Sequence, residues 1–114
     1  MSFSKNIQHY LEKRVELCAE VNPSVLNHRA WIRLVSVYEG KGYIFMWTEI
    51  PQSTYDIILG EDKDQFEPYD FYKAKNFLCK YIVDEDELEK MVIQYLDDLS
   101  ALKPSWHYPY YPFY

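Results

Sequence analysis

Three histidines, two cysteines and two runs of carboxylates are the groups in this 114-residue chain with the chemistry for catalysis or metal binding. His9, His28 and His107 are far apart, and none has a second ligand type at the short spacing that a zinc site uses. No Cys-x-x-Cys, His-Glu-x-x-His or EF-hand pattern occurs, and Gly40, Gly42 and Gly60 sit at turns rather than in a phosphate-cradling loop. A thiol nucleophile would pair Cys18 or Cys79 with His28 or His107 as base. Both cysteines lie in apolar-patterned segments, however, where thiols are inert packing groups. The reading is two buried, reduced thiols, no catalytic centre, no metal and no cofactor.

The carboxylates point to binding instead. Glu85, Asp86, Glu87 and Glu89 crowd the start of an apolar-striped segment, which a well-capped helix explains. The second cluster is different, because Glu61, Asp62, Asp64, Glu67 and Asp70 alternate with Phe66, Tyr69, Phe71 and Tyr72. Aromatic anchors ringed by carboxylates suit the capture of a basic surface, so Glu61, Asp62, Asp64, Phe66, Glu67, Tyr69, Asp70 and Tyr72 form one candidate interface. A second lies in residues 104–114, where Trp106, Tyr108, Tyr110 and Tyr111 stand among three prolines and further aromatic residues. Pro109 and Pro112 fix their own φ, so this tail should run extended or polyproline-like. Left free, it would expose more apolar surface than monomers tolerate, and docking onto its own domain is expected.

Eighteen acidic against twelve basic residues give a net charge of −6. That field repels phosphate backbones, excludes direct nucleic-acid binding and suits a basic protein partner. No window approaches eighteen consecutive apolar residues, and the first residues lack the pattern of a secretory signal, so no membrane contact and a cytoplasmic location are expected. A chain of this length buries roughly two-thirds of its unfolded surface, enough for one domain without staples. The expected organisation is a single α+β domain over residues 1–103 followed by an aromatic, proline-rich tail over 104–114.

These residues must be positioned by a small set of elements. Phe3, Ile7, Tyr10, Leu11, Leu17, Cys18 and Val21 follow a helical period, predicting a helix from about Ser4, capped by Ser2 or Ser4, to Val21, stopped by Asn22-Pro23. Trp31–Tyr38 and Tyr43–Ile50 are β-branched and aromatic runs about the turn Glu39-Gly40-Lys41-Gly42, which predicts an antiparallel hairpin. Neither strand alternates cleanly, so both sheet faces should be partly covered. The alternation in Gln52–Gly60 suggests a third strand, with a short helix as the alternative, and Asn76–Val83 reads as another strand. Asp84 sits three residues before Glu87, a capping-box spacing, and a stripe from Leu88 through Met91, Val92, Tyr95, Leu96 and Leu99 to Leu102 predicts a helix closed by Lys103-Pro104. The fold expected is α+β: a small antiparallel sheet of three to four strands flanked by an N-terminal and a C-terminal helix, with the aromatic tail packed on the domain.

About a hundred residues, an acidic balance, an α+β order, a tryptophan in the first strand (Trp31) and no catalytic motif together resemble the small immunity proteins that accompany bacterial polymorphic and contact-dependent toxins. The resemblance is one of type across the whole chain, and no signature residue carries it. It implies a non-catalytic inhibitor whose partner is a basic toxin domain, often a nuclease, blocked by occlusion of its active-site surface. Two other classes share the same composition: a phage or mobile-element accessory protein that binds a host protein, and a homo-oligomer in which the tail locks a neighbour.

Overall fold

In the computed structural model, which describes residues 3–37, 42–59 and 76–108, the run around Trp31 forms the central strand of a five-stranded antiparallel sheet. The elements in chain order are α1 (Lys5–Glu12), β1 (Leu17–Val21), β2 (His28–Ser36), β3 (Tyr43–Pro51), α2 (Gln52–Leu59), β4 (Asn76–Ile82), α3 (Glu85–Ile93) and β5 (Lys103–Pro104). Short 3-10 turns at Leu99–Ala101 and Ser105–His107 flank β5. The strand order is β4-β3-β2-β1-β5. The predicted hairpin is β2–β3, paired from His28 opposite Pro51 to Ser36 opposite Tyr43.

Period-two alternation sorts the strands onto two faces. One face carries Leu17, Ala19, Val21, Ala30, Ile32, Leu34 and Phe45, all buried, and Tyr43 and Trp47, partly buried. Helix α1 covers it with Ile7 and Leu11, and α3 with Leu88 and Val92. Tyr95 lays its ring beside Phe45 and Trp47, at centroid distances of 5.4 and 6.3 Å. The opposite face buries Cys18, Trp31, Thr48 and Ile50. Tyr55 of α2 lies there beneath the Arg29 guanidinium, 4.1 Å from its ring centre. Two forked ion pairs brace this side of β1 and β2: Arg33 donates to both Glu16 oxygens at 3.0 Å, and Arg29 donates to both oxygens of Glu20.

The first helix is shorter than its periodicity predicts. Ser4 Oγ accepts from the Ile7 N–H and starts it, but it ends at Glu12, and Leu17–Val21 is a strand. The stop is a Schellman closure, with the Val15 N–H donating to Tyr10 O, the Arg14 N–H donating to Leu11 O, and Arg14 left-handed at φ 58°. Glycine normally fills that position, so Lys13-Arg14 gave no warning. Glu16 and Glu20, which a long helix would place on its solvated side, instead reach across the sheet to arginines.

The remaining differences have equally local causes. Gln52–Leu59 is helical rather than a strand, its first N–H donating to Asn27 O at 2.8 Å. Asp84 does cap α3 by accepting from the Glu87 N–H at 2.8 Å, yet that helix ends at Ile93 rather than near Leu102. Asp98 turns back to accept from the Ser100 N–H and hydroxyl, bonds that compete with a helical ladder and hold its carboxyl below the usual range. The stripe survives this break, because Leu96 and Leu102 are buried without being helical. Strand count rises to five because β1 emerges from the predicted first helix and Lys103-Pro104 pairs with Leu17 and Cys18 as β5.

The two thiols differ. Cys18 is fully buried and its Sγ donates to Lys103 O, whereas Cys79, expected to be a packing thiol, is exposed on β4, the terminal strand of the described sheet. Burial pushes the Cys18 thiol from 9.0 up to about 12, Glu16 adding to the rise and Arg33 opposing it. The native state therefore holds this proton more tightly than the unfolded chain. That contribution to stability is intact below pH 9 and is lost as pH rises toward 12. A thiol-reactive chromophore at pH 8 is expected to titrate Cys79 alone in the native protein and both cysteines in denaturant. Two native equivalents at the same rate would show that Cys18 is not protected.

Candidate functional site: an acidic cleft beside the sheet

Where α1, α3 and the turn end of the β2–β3 hairpin meet, they leave a cleft of about 410 Å³. Glu12 comes from the last residue of α1, Arg14 from its left-handed exit, and Asp84 and Glu85 from the entry to α3. Leu11, Val37, Tyr43 and Val83 provide apolar wall. The cap that starts α3 thus also supplies the cleft with carboxylates, which the sequence alone explains as helix capping. Gln8 Nε2 donates to Glu85 Oε2 at 3.4 Å and ties α1 to the start of α3. Burial raises the pKa of the Tyr43 hydroxyl, and Glu85, Asp84 and Glu12 raise it further, so the three carboxylates act together on this wall of the cleft. An apolar wall with carboxylates at its rim fits a lysine or arginine side chain, whose stem packs while its head stays charged.

A buried polar cluster stands at the other end of the sheet. Glu49 of β3 is only 2% exposed. It accepts from the Ser24 N–H at 2.5 Å, the Ser24 hydroxyl at 2.8 Å and the Val25 N–H at 3.3 Å. His28 Nδ1 lies 3.5 Å from the same carboxylate but is not aligned for a hydrogen bond. The Ser24 hydroxyl donates to the carboxylate rather than to an imidazole, so the arrangement holds a loop and does not activate a nucleophile. Among the described residues, no group of three His, Cys, Asp or Glu side chains is placed to hold a metal ion.

Of the residues proposed from sequence, Glu61, Asp62, Asp64, Phe66, Glu67, Tyr69, Asp70, Tyr72, Tyr110 and Tyr111 lie outside the described residues. Tyr108 is half-buried, with its ring edge-on to Trp31 at 5.6 Å and its hydroxyl donating to Ala101 O. Pro104 is buried, and Trp106 is 67% exposed. The described part of the tail therefore packs on the domain while presenting one tryptophan to solvent. Ser105–His107 is a 3-10 turn rather than an extended run. The cleft residues Glu12 and Arg14 were missed because the predicted helix continued through them. Leu26, 86% exposed, was missed as well, although an apolar residue inside the turn-rich run Asn22-Pro23-Ser24-Val25-Leu26-Asn27 is itself a signal.

No family model matches the chain, and neither curated proteins nor solved structures give a match. No helix among the described residues is long and apolar enough to cross a membrane.

Proposed function

We propose that this is a non-catalytic binding protein that docks on a basic protein surface and occludes it, in the manner of an immunity protein neutralising a bacterial toxin domain. The observation that carries the reading is the cleft, where three carboxylates, Glu12, Asp84 and Glu85, outnumber the single cation Arg14 beside the apolar wall of Leu11, Val37 and Val83. A net charge of −6 supports it, since complementary fields speed the encounter of oppositely charged partners. The carboxylates of Asp62 and Asp64 extend the same negative character along the sequence. Free Cys18 and Cys79 suit a reducing compartment, and we place the protein in the cytoplasm.

The test is charge reversal measured as association rate. With a basic partner identified by pull-down on the full chain, Glu12→Lys with Glu85→Lys is expected to slow association at low salt by about ten-fold, and the difference should shrink as salt is raised. Asp62→Lys with Asp64→Lys tests the acidic segment in the same way. Association rates that ignore both double variants would remove electrostatic docking from the mechanism. A bait ending at Lys103 is unsuitable for this purpose, because it lacks buried Pro104 and the Tyr108 contact to Trp31.

A further inference from the structure

The loop between β1 and β2, residues 22–27, is held rigidly and yet turns its apolar side chains outward. Glu49, taken almost wholly out of water, accepts three hydrogen bonds from Ser24 and Val25. The His28 N–H closes the loop onto Val25 O, and the Gln52 N–H at the start of α2 holds Asn27 O. Asn27 is left-handed at φ 63°, a conformation that asparagine tolerates better than most residues. From this frame Leu26 projects 86% exposed, with Val25 beside it at 45%. Burying a carboxylate is costly even when it is hydrogen-bonded, and here it fixes a loop that returns little apolar burial to the domain. Rigid placement of an exposed leucine lowers the ordering cost of binding, which is how a preorganised contact gains affinity.

We infer that Leu26, flanked by Val25, is the apolar anchor of a protein interface and enters a hydrophobic socket on the partner. The inference rests on the proposed basic partner and names the contact that would hold it once charge has brought it close. Glu20 and the adjacent Arg29 balance each other as a fork, so exposed Asp56 on α2 and the net charge of −6 are what favour a basic rim on the socket. A lipid surface does not fit, since an anionic leaflet repels a chain of charge −6 and two aliphatic side chains bury too little to anchor it. A second copy would bring like charge against like charge.

The experiment places a photo-crosslinking residue at position 26, or at exposed Lys13 as control, in the full chain within its source cell. The protein captured from position 26 and not from position 13 is then identified, purified and titrated against wild type, Leu26→Asp and the Glu12/Glu85 double reversal. Leu26→Asp is expected to weaken binding at least thirty-fold through faster dissociation, at low and high salt alike, with its thermal midpoint unchanged because the side chain is exposed. The double reversal is expected to slow association in low salt instead. A Leu26 effect without a charge effect would support the anchor and remove the basic partner. Equal affinity of Leu26→Asp and wild type overturns the anchor even if charge reversal slows binding. Crosslinks only to its own copies, Leu26-dependent binding to phosphatidylcholine–phosphatidylglycerol vesicles, or no crosslinked protein at all would also overturn it.

Discussion

Glu49→Ala is expected to lower the unfolding free energy by about 3–5 kcal/mol, the scale for removing one member of a buried charged network. The variant leaves the Ser24 N–H, the Ser24 hydroxyl and the Val25 N–H without their acceptor in a place the carboxylate now fills. It also takes the negative charge from beside His28. Glu49→Gln separates the contributions: the amide retains one carbonyl oxygen, so part of the network persists and the loss should fall to about half. Urea titration of the three proteins measures this directly. Hydrogen exchange should localise the damage, with faster exchange at residues 24–28 in the alanine variant while β3 and β4 keep their protection. Equal stability of all three proteins would mean that Glu49 does not organise the loop, and the rigid presentation of Leu26 would lose its physical basis.

Phe45→Ala should cost about 3–5 kcal/mol for a different reason, the loss of buried surface together with a cavity that cannot fully collapse. Phe45 is completely buried at the centre of the helix-covered face, opposite Leu34 in register and beside the Tyr95 ring. Its strand is paired on both sides, by β2 and β4, so the backbone has little freedom to move inward. Tyr95 belongs to the turn after α3, and its displacement should loosen that helix before the sheet. A urea midpoint shift with an unchanged slope is the expected signature. A cost below about 1 kcal/mol would mean that α3 can slide into the space, and that the face is less tightly packed than its burial indicates.

Legibility followed the range of the forces involved. The β2–β3 hairpin was readable because two β-branched runs and a glycine turn are neighbours in sequence. The start of α3 was readable because Asp84 and Glu87 act within one turn. The end of α1 was not, because its stop is a backbone conformation adopted by Arg14, a residue with no preference for it. Leu17, Cys18 and Val21 continue a helical spacing closely enough to hide a strand, and only pairing with β2 decides between the two. Cys79 lies in an apolar run like a core residue, but its exposure depends on β4 lying at the end of the described sheet. The candidate site was less legible still. The cleft joins Glu12 to Asp84 and Glu85 across some seventy residues, and the loop anchor depends on Glu49, which nothing local distinguishes from any strand glutamate.

By itself the sequence determined the class of the molecule: an acidic α+β domain with a β-hairpin at its centre and a carboxylate-capped helix near its end. Composition, period and capping are local properties, and each acts within a few residues. Tertiary structure alone decided which carboxylates meet in the cleft, which carboxylate is buried, and which leucine faces water. Those outcomes depend on desolvation and on distances between strands and helices far apart in the chain, and both exist only once the sheet has formed.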